Sequence, residues 1–500
     1  MARVLLIHPS RWGRGITAIW IPSHTAVLRA AGHEVELFDA TFYAGWSVNE
    51  VAFNTANEQY RPTPYEQEIR FRSEDVVASL QATVDRFAPD VILWAALSSH
   101  IHGEGEYVNI QYGHQLVSKI RTRALRVAGG LQPTADPEAM FERFPATDCF
   151  IRGESELVLL ELVAAALAGR ELAPILATIR GIAFRGPDGR PVITPPQPII
   201  SDLDRIPPYD YSVFEDQAFL RPYNGALLRA VDYELSRGCI YACGYCVETV
   251  LQRYYGFDDT VPGRGTLRES RKYLRHKSAA RAFGEIEALH RELGIVLFRC
   301  QDTNFLTIDR ATLTDLAERM ERADLPVMLY VETRPEGVNS ASIELLRRLR
   351  VDGVGMGVEL STQSFREEKL GRFADQARIR EAFARLRAAG IRRTAYNIIG
   401  LPEQDEASIQ DTIRFNRELE PDNVTVAFYS PYAGTAQQIR GRELGYFDDY
   451  EYHVDGQLRS LSRHSRVEVR LLNFYKQHFN RLVRDGLADL DDLKAKEGLA

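Results

Sequence analysis

The sequence predicts an α/β protein of two wound units: a Rossmann-like (flavodoxin-like) parallel sheet over residues 1–180, then a partial (β/α)6 TIM-type barrel over 226–435. A helical C-terminal region, 436–500, follows. Three observations carry this. Short apolar runs alternate with helix-length amphipathic stretches in two separate series, the pattern of parallel sheets joined by crossover helices. A tract rich in proline and glycine, 181–225, interrupts the alternation and reads as a β-hairpin followed by an extended linker. The chain of 500 residues, 45% hydrophobic and 26% charged, is long enough for two or three ordinary cores.

In the first unit the strands are expected at Val4–Ile7, Glu34–Phe38, Val91–Trp94, Arg126–Ala128 and Cys149–Ile151. Ligands of such sheets bind outside the carboxyl ends of the strands. That puts Pro9–Trp20, Ser98–Gly105, Gly129–Thr134 and Gly153–Glu156 around one crevice. No G-x-G-x-x-G follows the first strand, which argues against a dinucleotide. The long insertion Thr41–Phe71 carries Phe42, Tyr43, Trp46, Phe53, Tyr60, Tyr65 and Phe71, and reads as a lid or as packed decoration.

The second unit has strands at Val231–Leu235, Val296–Arg299, Val327–Val331, Gly353–Val358, Thr394–Ile399 and Val424–Phe428. Helices at Ala279–Leu293, Arg310–Ala323, Ser340–Leu349, Ala374–Ala389 and Ala407–Leu419 fall between them. Function in a barrel gathers at the carboxyl ends of the strands. The tail holds a helical stretch at Val467–Leu482 that covers the open side of the barrel or lines a pocket.

Lys and Arg number 61 against 69 acidic residues, so charge supports neither a nucleic-acid groove nor an anionic membrane surface. No window approaches the roughly 20 apolar residues of a membrane span, and the N-terminal apolar run is too short for a signal peptide. Five cysteines, three of them clustered, fit a reducing cytoplasm. Cys149 and Cys300 read as buried, inert thiols.

The cluster is Cys239, Cys243 and Cys246, spaced C-x3-C-x2-C directly after the first strand of the second unit. A zinc site would want a fourth ligand or a second C-x2-C pair, and no histidine lies close upstream. A [4Fe–4S] cluster takes one thiolate per iron, so three thiolates hold it and leave one iron open. This spacing, with Tyr245 before the last cysteine, resembles the radical S-adenosylmethionine superfamily.

The resemblance implies that the open iron chelates S-adenosylmethionine. It assigns Asp302 and Asn304 to the amino group, Glu359 and Ser361 to the ribose, and Asn397–Glu403, with Ile399, to the adenine. Tyr396 stands where many members carry glycine. Arg334, closing the third strand, suits the carboxylate of S-adenosylmethionine. Tyr429 and Tyr432, after the sixth strand, stack on ligand or seal the rim. Each residue taken singly reads equally as a helix cap or surface ion pair.

A Rossmann-like domain before such a barrel, with Gly129-Gly-Leu-Gln-Pro-Thr134 and Arg152-Gly-Glu-Ser-Glu156, resembles the cobalamin-binding subfamily. The resemblance implies a cobalamin site at Ser98, Ser99, Gly129, Gly130, Leu131, Gln132, Gly153 and Glu154. The D-x-H-x-x-G motif that supplies a cobalt ligand elsewhere is absent. His8, His100 and His102 lie near expected strand ends, where a hydrogen-bonded loop histidine is commoner than a ligand.

The implied activity is methyl transfer to an unactivated carbon of a small molecule, such as a natural-product intermediate, through a 5′-deoxyadenosyl radical and methylcobalamin. A flavodoxin or ferredoxin would supply electrons. Alternatives keep both cofactors and perform cyclisation, ring rearrangement or oxidation, or keep only the cluster. A methylthiotransferase would need three further cysteines, and a non-catalytic cobalamin sensor would not need the intact triad.

Overall fold

A computed structural model of the chain describes residues 1–11, 16–47, 67–97, 103–168, 171–446 and 465–499, with 103–108 described by backbone alone. The first sheet contains β1 (Arg3–His8), β2 (Glu34–Asp39), β3 (Val91–Leu93), β4 (Leu125–Gly130), β5 (Cys149–Arg152), β6 (Ile182–Arg185) and β7 (Pro191–Ile193). Its order is β2-β1-β3-β4-β5-β6-β7. The first five are parallel, the flavodoxin-like order. β1, β3 and β5 are apolar and buried because helices cover both faces of the sheet.

The hairpin expected in 181–225 is β6–β7, which extends this sheet antiparallel to β5. The rest of that tract is packed rather than loose. Leu203, Ile206, Tyr209, Tyr211 and Phe214 are buried in the same apolar cluster that holds Val4 and Leu329. That one cluster runs through both units, so the two sheets share a core.

The second sheet opens with a hairpin, β8 (Leu220–Tyr223) against β9 (Ala226–Tyr233). Its turn is Asn224-Gly225, both at positive φ (50° and 83°), which suits the right-handed twist of the flanking strands. Two small ribbons follow: β10 (Ser236–Arg237) with β13 (Arg275–His276), and β11 (Thr260–Val261) with β12 (Thr266–Leu267). Then come β14 (Leu297–Cys300), β15 (Met328–Thr333), β16 (Val351–Glu359), β17 (Arg392–Ile399) and β18 (Asn423–Phe428). The order is β18-β17-β16-β15-β14-β9-β8, six parallel strands with an antiparallel edge.

The two faces of this curled sheet differ. Val231, Phe298, Val331, Val354, Met356 and Ala395 face the helices and are fully buried. The inner face is polar and partly open, with Arg299, Glu332, Tyr396 and Thr425 only half-buried. On β16 that face is glycine at 353, 355 and 357. A Cβ at Gly355 would stand 2.6 Å from the Tyr396 ring, and one at Gly353 2.9 Å from Tyr330.

Gly355→Ala is therefore expected to cost about 1–3 kcal/mol by overpacking. Gly284→Ala, inside the helix Ala279–Leu293 with nothing within 4 Å, should instead gain up to about 1 kcal/mol. Urea unfolding of the two variants checks the difference in sign.

The tail helix Val469–Asp485 lies along the open edge at β18. Leu472, Phe474 and Phe479 pack with Ile413, Val426 and Phe428, and Lys476 Nζ donates to the Val426 carbonyl. It covers an edge that would otherwise offer unpaired backbone groups. Among the described residues no helix is long and apolar enough to cross a membrane.

Candidate active site

The three clustered cysteines sit on the loop after β10, at the carboxyl end of the first parallel barrel strand. Gly238, at φ 88°, opens the loop; a Cβ there would stand 2.5 Å from the Tyr273 carbonyl. The loop is then fixed by its neighbours. Ala242 N–H donates to Gly265 O at 2.8 Å, Gly244 N–H to Leu370 O at 2.9 Å, and Gln252 Nε2 to Tyr241 O at 2.8 Å.

Cys239 and Cys243 are buried, Cys246 is half-buried, and none is in a disulfide. Burial pushes the Cys239 thiol up to about 12 and raises Cys246 as well, so both stay protonated until a metal takes the proton's place. Among the described residues no group of His, Cys, Asp or Glu could hold a single metal ion. A [4Fe–4S] cube spreads its thiolates over different irons, so three such thiols on one ordered loop fit it.

Arg334 lies beside them. Its Nη1 donates to Cys243 Sγ at 3.3 Å, its guanidinium stacks 3.7 Å over the Tyr241 ring, and it pairs with Glu336. Asn304 Oδ1 accepts from Thr333 Oγ1 at 2.6 Å and from the Arg334 N–H at 3.3 Å, bracing the end of β15. Asp302 Oδ1 takes the N–H groups of Leu235 at 3.0 Å and Ser236 at 2.5 Å. Its Oδ2 is buried without a hydrogen-bond partner among the described residues, and burial raises the carboxyl to about 7.

Opposite the loop, Glu359 stands at φ 62° where β16 ends. Its carboxylate accepts from Tyr245 OH at 2.8 Å and pairs with Arg372 at 3.0 Å. Arg372 also reaches the Gly357 carbonyl at 2.7 Å. Tyr429 is buried with Leu360, Leu370 and Leu401, with Tyr245 against them, forming an apolar wall beside Glu359.

The structure brings Tyr245, Asp302, Asn304, Arg334, Glu359 and Tyr429 to the ends of the barrel strands around the cysteine loop. It does not bring the side chains of Asn397, Ile399 and Ser361 there. Asn397 exchanges hydrogen bonds with Asn416 at 2.7 and 3.1 Å, on the face turned to the helix Glu406–Leu419. Ile399 packs with Ile409 and Ile413 on that face, and Ser361 Oγ accepts from Thr412 Oγ1 at 3.5 Å. Strand alternation puts Tyr396 and Ile398 inward instead.

In the first domain, Gly129 and Gly130 end β4, with Gly130 at φ 124°, and Leu131 and Gln132 open the helix Leu131–Ala135. Gly129 is packed against β5: a Cβ would meet Ile151 at 3.2–3.3 Å. Leu131, Gln132 and Ala135 face Val247, Val250, Tyr432 and Ala433 across a gap of only about 10 Å³, room for a single water. The carboxyl edge of the first sheet thus meets the segment that follows Cys246. His8 Nδ1 lies 3.4 Å from Asp39. Ser98, Ser99, His100 and His102, and most of the aromatic insertion, lie outside the described residues.

Arg152–Glu156 mainly ties the domains together. Gly153, at φ 76°, leaves room for Tyr255, whose OH accepts from the Glu154 N–H at 2.7 Å. Glu154 pairs with Arg275 at 2.7 Å, and Glu156 with Arg237 at 2.5 Å. Arg237 begins the cysteine loop and also pairs with Glu234 at 2.8 Å. Sequence reasoning missed Arg237, Arg372 and the polar inner face of the barrel; of these, only the alternating glycines of β16 leave a local signal.

The comparisons agree with this layout. Residues 233–415 match the model of the Radical SAM superfamily. The chain is 24% identical over 489 residues to the anaerobic magnesium-protoporphyrin IX monomethyl ester cyclase of Rubrivivax gelatinosus, covering 95% of this chain and 77% of that protein. It is 24% identical over 367 residues to an uncharacterized methyltransferase of Pyrococcus horikoshii, covering 73% and 72%. The methyltransferase TsrM from Kitasatospora setae, solved with cobalamin and a [4Fe–4S] cluster, superposes with TM-score 0.65 at 18% identity over 90% of this chain and 80% of that one. At that identity the likeness is one of fold.

Proposed function

We propose that this chain, which belongs to the radical S-adenosylmethionine superfamily through residues 233–415, is a cobalamin-dependent enzyme that methylates an unactivated carbon of a small molecule. The observation that carries the reading is the contact between the carboxyl edge of the first sheet and the cysteine loop's continuation. Leu131 and Gln132, which the cobalamin resemblance singles out, face Val247 and Val250 just after Cys246. Two cofactors held on those edges would act on one substrate between them.

Cys239, Cys243 and Cys246 would hold the cluster, and Leu131 and Gln132 would border the corrin, whereas Gly129 is packed against Ile151 and Gly153 against Tyr255. Bound there, the cluster with S-adenosylmethionine supplies a 5′-deoxyadenosyl radical, and cobalamin supplies a transferable methyl group. The chain's own work is placement and exclusion of water. Arg334 sets positive charge beside the Cys243 sulfur, Tyr245 and Arg372 orient the Glu359 carboxylate, and the Tyr429 wall keeps that side apolar. A flavodoxin or ferredoxin suits the electron supply.

Ring closure is a second reading, favoured by the cyclase of Rubrivivax gelatinosus, which aligns over 95% of the chain. One experiment separates these. Protein made with cobalamin and purified without oxygen is analysed for metals, then turned over with methyl-deuterated S-adenosylmethionine. About four irons and one cobalt per chain, with deuterated product and S-adenosylhomocysteine, support methyl transfer. Both metals with 5′-deoxyadenosine but no label transfer support cyclisation. Iron without cobalt overturns the cobalamin assignment.

A further inference from the structure

The inner face of the second sheet departs from a filled barrel. Closed barrels fill their interior with branched apolar side chains. Here the mid-strand positions Arg299, Glu332, Tyr396, Thr425 and Ala427 remain partly accessible, while the outward neighbours Phe298, Val331, Ala395 and Val426 are fully buried. The glycines of β16 keep that face free of side chains, and the rings of Tyr330 and Tyr396 lie across it, joined OH to OH at 2.8 Å. The result is a concave surface bordered by two linked tyrosines.

Charge on this surface is opposed but not hydrogen-bonded: Asp232 stands in register beside Arg299 and attracts it, yet its oxygens are already engaged. Asp232 is taken by Arg221 at 2.6 Å, by Gln301 at 2.6 Å and by the Thr17 N–H at 3.1 Å. Arg299 has no hydrogen-bond acceptor among the described residues; its guanidinium sits 5.7 Å over the Tyr330 ring. Among the described residues Glu332 accepts only from Tyr396 OH, at 3.2 Å, and burial raises its carboxyl to about 7, so near neutral pH it offsets Arg299 only in part. A guanidinium half-withdrawn from water with its donors unused is costly unless something accepts from them.

We propose that Arg299 binds a carboxylate of the substrate inside the barrel, with the molecule's flat face against Tyr330 and Tyr396. The planar fork of arginine matches a carboxylate in two parallel hydrogen bonds. The inference deepens the enzyme reading above and rests on it for the word substrate. The binding site itself needs no cofactor chemistry.

The test uses the reconstituted full chain, with benzoate as probe and benzamide as its neutral isostere, titrated by saturation-transfer NMR. Benzoate is expected to bind with benzamide at least about tenfold weaker, and Arg299→Met to weaken benzoate about tenfold or more. Arg299→Lys, a milder change for folding, keeps the charge but loses the fork and should weaken it severalfold. Glu332→Gln removes a competing carboxylate and should tighten benzoate about threefold.

These opposite signs at neighbouring positions are what a merely structural pair would not give. Absence of benzoate binding, equal binding of benzamide, or unchanged binding in folded Arg299→Met overturns the site. Metal content is read on the same samples. A chain without cobalt that still binds benzoate through Arg299 loses the cofactor assignment and keeps this one.

Discussion

Cys243→Ala is expected to remove iron from the protein and end turnover while leaving the fold intact. The thiol accepts from Arg334 Nη1 at 3.3 Å, and the loop is held by backbone bonds such as Cys246 N–H to Cys243 O at 3.0 Å, which alanine keeps. Two remaining thiolates hold a cluster poorly, so iron should fall from about four per chain to below about one. Cleavage of S-adenosylmethionine should fall by about 1000-fold or more, roughly 4 kcal/mol of lost barrier reduction. Cys149→Ala and Cys300→Ala are the controls. Both thiols are buried and raised by that burial, so these variants should keep iron and lose only about 1 kcal/mol of stability. Iron analysis and the yield of 5′-deoxyadenosine check all three, and a Cys243→Ala protein that retains both would sink the cluster assignment.

Much of the fold is legible because parallel strands covered on both faces must be apolar runs, and Val4–Ile7 or Val424–Phe428 need no partner to be recognised. The hairpin at Asn224-Gly225 was equally legible, since that dipeptide between two apolar runs is a strong turn signal, yet the expected strand began only at Val231. Gly353-x-Gly355-x-Gly357 likewise announces a bare strand face. Motif likeness located the cysteine loop and the strand ends around it. It did not say which way side chains point, so Asn397 and Ile399, two apart on β17, both turn to the helices. Contacts between distant segments are beyond any local pattern. Glu156 and Arg237 are 81 residues apart, and nothing near either one names the other.

That pair leads to the second large effect: Arg237→Ala should loosen the first domain from the cluster loop. The guanidinium is buried among three carboxylates, Glu156 at 2.5 Å, Glu234 at 2.8 Å and Glu154 at 3.8 Å. Removing it strands those charges in a dry interface, which costs about 3–5 kcal/mol, or a fall in Tm of roughly 10 °C at about 2–4 °C per kcal/mol. Arg237→Lys should recover part of this, since one ammonium cannot serve several carboxylates as a fork does. Acid exposes the same network. Arg237 holds the Glu156 carboxyl down to about 2, below its ordinary 4.5. A depressed carboxyl gives stability that is full above about 4.5 and is lost as pH falls toward 2. Wild-type stability should therefore decline over that window, and Arg237→Ala should show a shallower decline from its lower starting point. Because Arg237 leads into the cysteine loop while Glu154 and Glu156 follow β5, the bond also fixes the separation between that loop and the carboxyl edge of the first sheet. In Arg237→Ala that still folds, 5′-deoxyadenosine should form in excess over product, whereas Arg237→Lys should stay closer to one per turnover. Equal coupling in both variants would reduce the network to a stabilising contact.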